Sequence, residues 1–249
     1  MKLWKLITII SLGGVHASEA HAVFWNYAGM KTGPDSWGEL APEFEKCAGG
    51  SAQSPVSIST TKVMPLPALE FDYKTTAASL ALDRFTVVST PQEKLYFREG
   101  DRHYLLKEMV MHTPSEHDVE GDFYPIELQL LHEGDEKKLL MLSIFLRSTE
   151  GAADNAALQA IIGHYPATRQ DRPSTHLDWQ ALLPKNLGYY AYPGSITTPP
   201  CTEGVEIRVL KTPLEVSAGQ IKWLVEKLGR NARDVQPVLL RTIRESERE

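Results

Sequence analysis

Two side chains with the chemistry of metal ligands lie close together in segment 104–112. Glu108 and His112 are four residues apart, so on a β-strand they project from the same face of the sheet. Carboxylate oxygens and imidazole nitrogens are ligands that zinc accepts, whereas the amide of a residue such as Gln129 is a poor zinc ligand. Glu108 and His112 are therefore candidates for metal ligands.

The other histidines of the mature segment are predicted to have structural or surface roles. His132 is three residues from Gln129, so the two side chains face opposite sides of a strand. A shift of register by one residue would turn every apolar side chain of that strand around. Buried histidines are usually satisfied by local hydrogen bonds, and we expect this for His103, His117, His132, His164 and His176.

The pattern of apolar residues around these side chains is that of a mostly β protein. Segment 139–146 is apolar almost throughout, as expected for a central strand that is buried on both faces. The predicted strands are 69–73, 86–89, 95–98, 104–112, 126–132, 139–146 and 205–210.

Two helices are predicted between and after these strands. One covers 155–162 with Asp154 as its cap, and the other covers 217–228, where Ser217 caps the helix and Gly229 ends it. Nothing resembles an interdomain linker, so we expect one domain over 23–249.

The first 22 residues are typical of a secretory signal peptide. Lys2 and Lys5 precede a short apolar stretch, and Ala20 and Ala22 frame a small-residue cleavage site. A buried N-terminal helix is the alternative. The prediction is a signal peptide over 1–22 and a periplasmic or secreted mature protein.

The chain contains two cysteines, Cys47 and Cys201. An even number of cysteines in an exported chain favours a disulfide. Two unpaired buried thiols are the alternative.

Composition excludes several classes of protein. Hydrophobic residues make up 42% and charged residues 23%, which is ordinary for a globular chain and excludes a disordered one. The net charge of -6 gives no electrostatic footprint for nucleic acid or anionic lipid. Outside the N-terminus no apolar run is long enough for a membrane span. The partner and the oligomeric state, a homodimer included, stay open.

Several separated motifs occur in order along the chain. They are Trp25-Asn-Tyr27, Gly33-Pro34 with Trp37, Gln53-Ser-Pro55, Thr113-Pro-Ser-Glu-His117, Tyr192 to Gly204, and Asn231, Arg233 and Gln236-Pro237. Together they resemble the α-class carbonic anhydrases, in particular the bacterial exported branch, over essentially all of the mature segment. The resemblance implies a single-domain fold with a large, twisted, mainly antiparallel sheet and short peripheral helices, together with a disulfide between Cys47 and Cys201.

The resemblance also implies where a zinc site should lie. In this family three neutral histidines hold zinc and leave one position open for water, whose pKa the metal lowers to about 7. At the three ligand positions this chain has Val110, His112 and Gln129. Glu108 replaces a family glutamine, and Phe85 stands where fast members carry a proton-shuttling histidine. We therefore predict no cofactor, with His112 as the one remaining ligand.

The surroundings of that position match the family more closely. Glu116 matches the carboxylate that orients the catalytic hydroxyl, Thr197 matches that hydroxyl, and Glu127 matches a carboxylate that orients a ligand imidazole. The residues matching the substrate-binding part of the cavity are Thr198, Leu131, Met141 and Ile196.

Three functional interpretations follow. The favoured one is an exported carbonic-anhydrase-like protein that has lost zinc-dependent CO2 hydration and acts as a binding or scaffold protein, because the nucleophile itself is a metal-bound hydroxide. The second is an active carbonic anhydrase or esterase with a remodelled metal site made of Glu108, His112 and Gln129. Such a mixed oxygen and nitrogen set would fit a weakly held or different metal better than zinc. The third is a purely structural or assembly role through the sheet surface.

Overall fold

The strands account for most of the regular structure in the computed structural model, which describes residues 23–247. The predicted signal peptide over 1–22 lies outside the described residues. Within them the strands are β1 (Ser57–Ile58), β2 (Thr61–Met64), β3 (Leu69–Asp72), β4 (Thr75–Asp83), β5 (Thr86–Pro91), β6 (Tyr96–Glu99), β7 (Arg102–His112), β8 (Asp118–Val119), β9 (Asp122–Phe123), β10 (Ile126–Glu133), β11 (Leu139–Ser148), β12 (Ser174–Asp178), β13 (Tyr189–Ser195), β14 (Glu203–Leu210), β15 (Leu214–Val216) and β16 (Ile243–Ser246).

The helices are short and peripheral, as predicted. They are α1 (Trp37–Leu40), α2 (Lys46–Gly49), α3 (Ala156–Gly163) and α4 (Ala218–Leu228). Ser217 caps α4 by accepting a hydrogen bond from the Gln220 N–H, as predicted. The prediction for α3 was wrong by one residue: the cap is Asn155, not Asp154, because the Asn155 side chain accepts from the N–H groups of Ala157 and Leu158.

One large sheet contains most of the strands in the order β12-β4-β5-β7-β10-β11-β14-β13-β16-β2, with β15 beside β11 and the β3–β6 pair beside β7. Its neighbours are mainly antiparallel, and β11–β14, β11–β15 and β16–β2 are parallel. A small second sheet joins β1, β8 and β9. The prediction of a mostly β fold with one large, mainly antiparallel sheet is confirmed.

The centre of the sheet is the most deeply buried part of the fold. From Leu140 to Leu146 every residue of β11 is buried, as the apolar run of this segment predicts. One face of the sheet packs against α3 and α4 through residues such as Leu142, Leu158 and Leu224. The strands that carry the predicted site are β7 and β10, which follow one another in the sheet, and β10 lies directly beside β11. The site is therefore built next to the most deeply buried strand.

A disulfide ties the N-terminal segment to the loop after β13. It joins Cys47 to Cys201, which are 154 positions apart, and confirms the predicted pairing. Arg233 reinforces this connection by donating hydrogen bonds to the carbonyl oxygens of Cys47 and Ser54. In residues 23–247 we find no helix of sufficient length and apolarity to cross a bilayer.

Candidate functional site

The register between β7 and β10 brings the three family ligand positions together. Gln129 pairs with Val110, and Glu127 pairs with His112. Val110 and His112 are two residues apart and therefore project from one face of β7. The alternation along β7 and its pairing with β10 thus gather these side chains on one face of the sheet.

A cavity of about 150 Å³ opens on this face. His112, Val110 and Gln129 line it, as do the two threonines predicted for the site, Thr197 and Thr198. The residues predicted for the apolar wall also line it: Leu131, Met141 and Ile196. The side chains that the sequence assigned to the cavity surface are therefore brought together.

Two further predicted residues, Glu116 and Glu127, lie behind the cavity surface. Both are fully buried. Glu116 Oε1 accepts a hydrogen bond from the Arg233 N–H at 2.9 Å. Glu127 Oε2 accepts from the N–H groups of Glu116 and His117, each at 2.9 Å. Neither carboxylate lines the cavity. Each can therefore influence a bound molecule only through the side chains that do line it.

His112 is fixed by the loop that follows α4. Its Nδ1–H donates to the Asn231 carbonyl oxygen at 2.8 Å. Asn231 also accepts from the Thr113 N–H and donates to the Met111 carbonyl oxygen. Because Nδ1 is the donor in a neutral ring, Nε2 is left as a hydrogen-bond acceptor or metal ligand.

Gln129 occupies the third ligand position with its amide already engaged. Its nitrogen donates to Glu116 Oε2 at 2.8 Å and to Glu127 Oε1 at 3.0 Å. An atom this close to two carboxylates must be the amide nitrogen, since an oxygen has no proton to donate. The amide oxygen then accepts a long contact of 3.4 Å from the Thr197 hydroxyl.

The predicted pairing of Glu116 with the Thr197 hydroxyl is not what the structure contains. Thr197 donates to Gln129 Oε1, and the amide of Gln129 connects it to Glu116. The physical reason is that the amide supplies N–H donors to a buried carboxylate. An imidazole that ligated a metal through one nitrogen would leave a single ring donor, the other N–H.

Glu127 and His117 form a buried hydrogen-bonded pair beside this network. His117 Nδ1–H donates to Glu127 Oε1 at 2.8 Å, and Nε2 lies 2.6 Å from the Tyr192 hydroxyl. Burial acts to raise the pKa of Glu127, but the attraction of His117 and the hydrogen bonds from His117 and Gln129 outweigh it. The pKa is lowered to about 2, so this carboxylate stays charged.

The residues present do not fit the zinc ion of the family. Of the three ligand positions, Val110 has no donor atom, and the only Gln129 atom able to ligate a metal accepts from Thr197. Among residues 23–247, no group of three or more His, Cys, Asp or Glu side chains is placed to hold a metal ion. His112 alone retains the geometry of a ligand, and a single imidazole does not hold zinc.

Four residues that line the cavity were not predicted from the sequence to belong to the site. Trp25 and Tyr27 line it and pack against Phe85 at ring-centroid distances of 5.5 and 5.4 Å. Asp83 and Arg84 line it as well. Trp25 and Tyr27 belong to a motif that marked the family, which was the one available signal for their position.

Glu108 also lines the cavity, on the same face of β7 as His112. Burial and the nearby charge of Asp83 raise its pKa. The two carboxylates make this part of the cavity acidic.

Four other histidines within residues 23–247 take no part in the site. His132 follows a β-bulge in β10 and is buried against Tyr73 and Phe97. Burial lowers its pKa to about 3. His103, His164 and His176 are exposed and lie away from the cavity lining, in agreement with their predicted structural or surface roles.

Comparisons with known proteins agree with this architecture. The family model of the eukaryotic-type carbonic anhydrases matches residues 32–247. A carbonic anhydrase of Neisseria gonorrhoeae is 35% identical over 231 residues, which is 92% of this chain and 89% of that protein.

Two solved structures are similar in fold. The α-carbonic anhydrase of Thermovibrio ammonificans, in complex with sulfanilamide, superposes with a TM-score of 0.83 at 30% identity, covering 90% of this chain and 100% of the other. A dioscorin complexed with ascorbate superposes with a TM-score of 0.82 at 28% identity, covering 91% and 100%. The chain belongs to the eukaryotic-type carbonic anhydrase family.

Proposed function

We propose that this protein is an exported member of the family that binds no zinc at the family position, does not hydrate CO2, and uses the retained cavity to bind a small molecule. The observation that carries the proposal is the engagement of Gln129. Its nitrogen is shared by Glu116 and Glu127, and its oxygen accepts from Thr197.

The chemistry of CO2 hydration explains why a protein without zinc at this position would be inactive. The reaction needs a metal-bound hydroxide as nucleophile. A metal could bind Gln129 only through its amide oxygen, which already accepts from Thr197 and, being neutral, is a poor zinc ligand. Val110, directly opposite in the register, could not compensate because its side chain has no donor atom.

A cavity that remains without the metal supports a binding role. His112, Thr198 and the apolar residues Leu131, Met141 and Ile196 still line it. The dioscorin relative is complexed with ascorbate, which supports small-molecule binding by a protein of this fold. The disulfide between Cys47 and Cys201 supports an oxidising compartment, in line with the proposed export.

The test is metal analysis and CO2 hydration on the same batch of purified, dialysed mature protein. The Neisseria gonorrhoeae relative serves as positive control. We expect well under one equivalent of zinc and a hydration rate equal to that of buffer. One equivalent of zinc together with sulfonamide-sensitive hydration would overturn the proposal and favour an active enzyme with a remodelled site.

A further inference from the structure

His112 offers a hydrogen-bond acceptor to the cavity. The residue is 2% exposed, and its Nδ1–H is used by the Asn231 carbonyl oxygen. In the part of the chain that the structure describes, Nε2 makes no hydrogen bond, and the ring lines the cavity. This nitrogen can accept from a ligand that brings an N–H or O–H donor.

Glu108 adds a carboxylate to the same lining. Over residues 23–247 its side chain makes no hydrogen bond and no ion pair, although it is half-buried. The nearby Asp83 adds a second negative charge. Burial and that charge raise the pKa of Glu108, which is the behaviour of a carboxylate that lacks a cationic partner.

Arg84 does not supply this partner. Its guanidinium lies over the Trp25 ring, 5.2 Å from the centroid. It forms no ion pair with Asp83 or Glu108 among the described residues. A small cation entering the cavity would therefore meet two carboxylates that form no ion pair with a protein cation among the described residues.

Apolar side chains line the cavity beside Glu108. They belong to Val88, Val110, Leu131, Met141 and Ile196, and Leu131 pairs with Glu108 in the register between β7 and β10. A cavity of about 150 Å³ is about the size that admits one aromatic ring. The lining therefore favours a ligand with an apolar body and a charged donor group.

We propose that the cavity binds a small organic cation whose ammonium or amidinium group pairs with Glu108 while its apolar body lies against Val110 and Leu131. Glu108 and His112 are four residues apart on β7, about 13 Å along a strand. A one-ring ligand paired with Glu108 does not also reach His112, whose Nε2 stays available to a longer ligand that carries a second donor. The inference rests on the proposed function, because it requires a cavity without the metal's positive charge.

The test uses three aromatic compounds of nearly identical shape: benzamidine (cation), benzamide (neutral) and benzoate (anion). Binding to the full mature protein is measured by calorimetry at one ionic strength. We expect benzamidine to bind most tightly and benzoate least. Benzoate binding as tightly as benzamidine, or no binding of any of the three, would overturn the inference.

Glu108→Gln tests the assigned carboxylate. It should weaken benzamidine binding by about tenfold, as expected for loss of a charge-assisted hydrogen bond, and leave benzamide binding unchanged. The matched control is Glu150→Gln, which removes the same charge from an exposed loop outside the cavity and should change neither. Equal loss for both ligands in Glu108→Gln, or an unchanged benzamidine affinity, would contradict the assignment.

Zinc content measured on the same batch distinguishes a failure of the proposed function from a failure of the cation-binding inference. One equivalent of zinc would overturn the proposed function and this inference with it. Zinc-free protein that fails to prefer benzamidine would overturn this inference alone.

Discussion

The side-chain nitrogen of Gln129 lies 2.8 Å from Glu116 Oε2 in the floor of the cavity. The same nitrogen lies 3.0 Å from Glu127 Oε1, and all three side chains are almost completely buried. One neutral amide thus gives two hydrogen bonds to two buried carboxylates. It stabilises the floor where relatives with the family ligand set carry an imidazole.

Removing this donor should destabilise the protein. Gln129→Leu keeps the approximate size of the side chain but leaves Glu116 and Glu127 each short of one hydrogen bond. We expect the free energy of unfolding to fall by about 1–3 kcal/mol, the cost of leaving buried acceptors unpaired. Gln129→Glu should cost more, because it adds a third carboxylate.

Denaturant unfolding measures both variants. The matched control is Gln92→Leu, because Gln92 makes its hydrogen bond at the surface and should change stability by only about 0.5 kcal/mol. A Gln129→Leu variant as stable as the Gln92→Leu control would contradict the role given to the amide.

The sequence predicts the strands of the site because their apolar residues are large and regularly placed. Strands β7, β10 and β11 lie within two residues of their predicted bounds. Strand β4 (Thr75–Asp83) was not predicted. Its buried positions include Thr76 and Ala78, and small or polar side chains give a weak alternating signal.

The hydrogen bonds of the site could not be predicted in the same way. The motifs place Gln129, Glu116 and Thr197 around one cavity, as observed. Which atom each contacts depends on side-chain rotamers and on loops distant in sequence. The Asn231 carbonyl that fixes His112 is 119 positions away, and no local pattern contains that information.

Stability should depend on pH through Glu99, which is 2% exposed. Burial acts to raise its pKa, but two hydrogen bonds and the charge of Arg208 outweigh this, so the pKa lies below its ordinary value of 4.5. The unfolded chain therefore takes up the proton first. The stabilisation is complete above about pH 4.5 and is lost as the pH falls through the folded-state pKa.

Glu99→Gln tests this dependence in thermal and denaturant unfolding between pH 7 and pH 3. At pH 7 it should cost about 1.5–3 kcal/mol, because Arg208 loses charge-assisted hydrogen bonds to Glu99 while its contact with Glu206 remains. The decline in stability towards low pH should be shallower than in the parent. Glu70→Gln, which breaks an exposed pair with Arg98, should cost less than about 1 kcal/mol and keep the parent pH profile. Parallel profiles for the Glu99→Gln variant and the parent would refute the assignment.

The disulfide should contribute measurably to stability. It closes a loop between residues 154 positions apart, and replacing both Cys47 and Cys201 by alanine should lower the free energy of unfolding by about 2–5 kcal/mol. The parent should show no free thiol under denaturing, non-reducing conditions. Reduction of the parent should reproduce the stability of the double variant, and two titratable thiols in the unreduced parent would exclude the bond.

The last prediction concerns restoration of the metal site. Val110→His together with Gln129→His should create a zinc site with His112, since Val110 and Gln129 face each other in the register. Glu127, which now accepts from the Gln129 amide, is placed to accept an imidazole N–H instead. Loss of the amide also frees Glu116 to accept from the Thr197 hydroxyl.

Each single substitution should change zinc affinity little, because two protein ligands hold zinc weakly, so the effects should be strongly non-additive. Without metal the double variant should lose about 1–3 kcal/mol of stability, because two polar rings become buried. Zinc binding to the folded state should return this stability by linkage.

The measurements are zinc stoichiometry and thermal shift for both single variants and the double variant. CO2 hydration should stay modest, because Phe85 offers no proton relay and Glu108 adds a negative charge to the cavity. A double variant that folds but binds zinc no better than the parent would show that these two positions do not complete a site with His112.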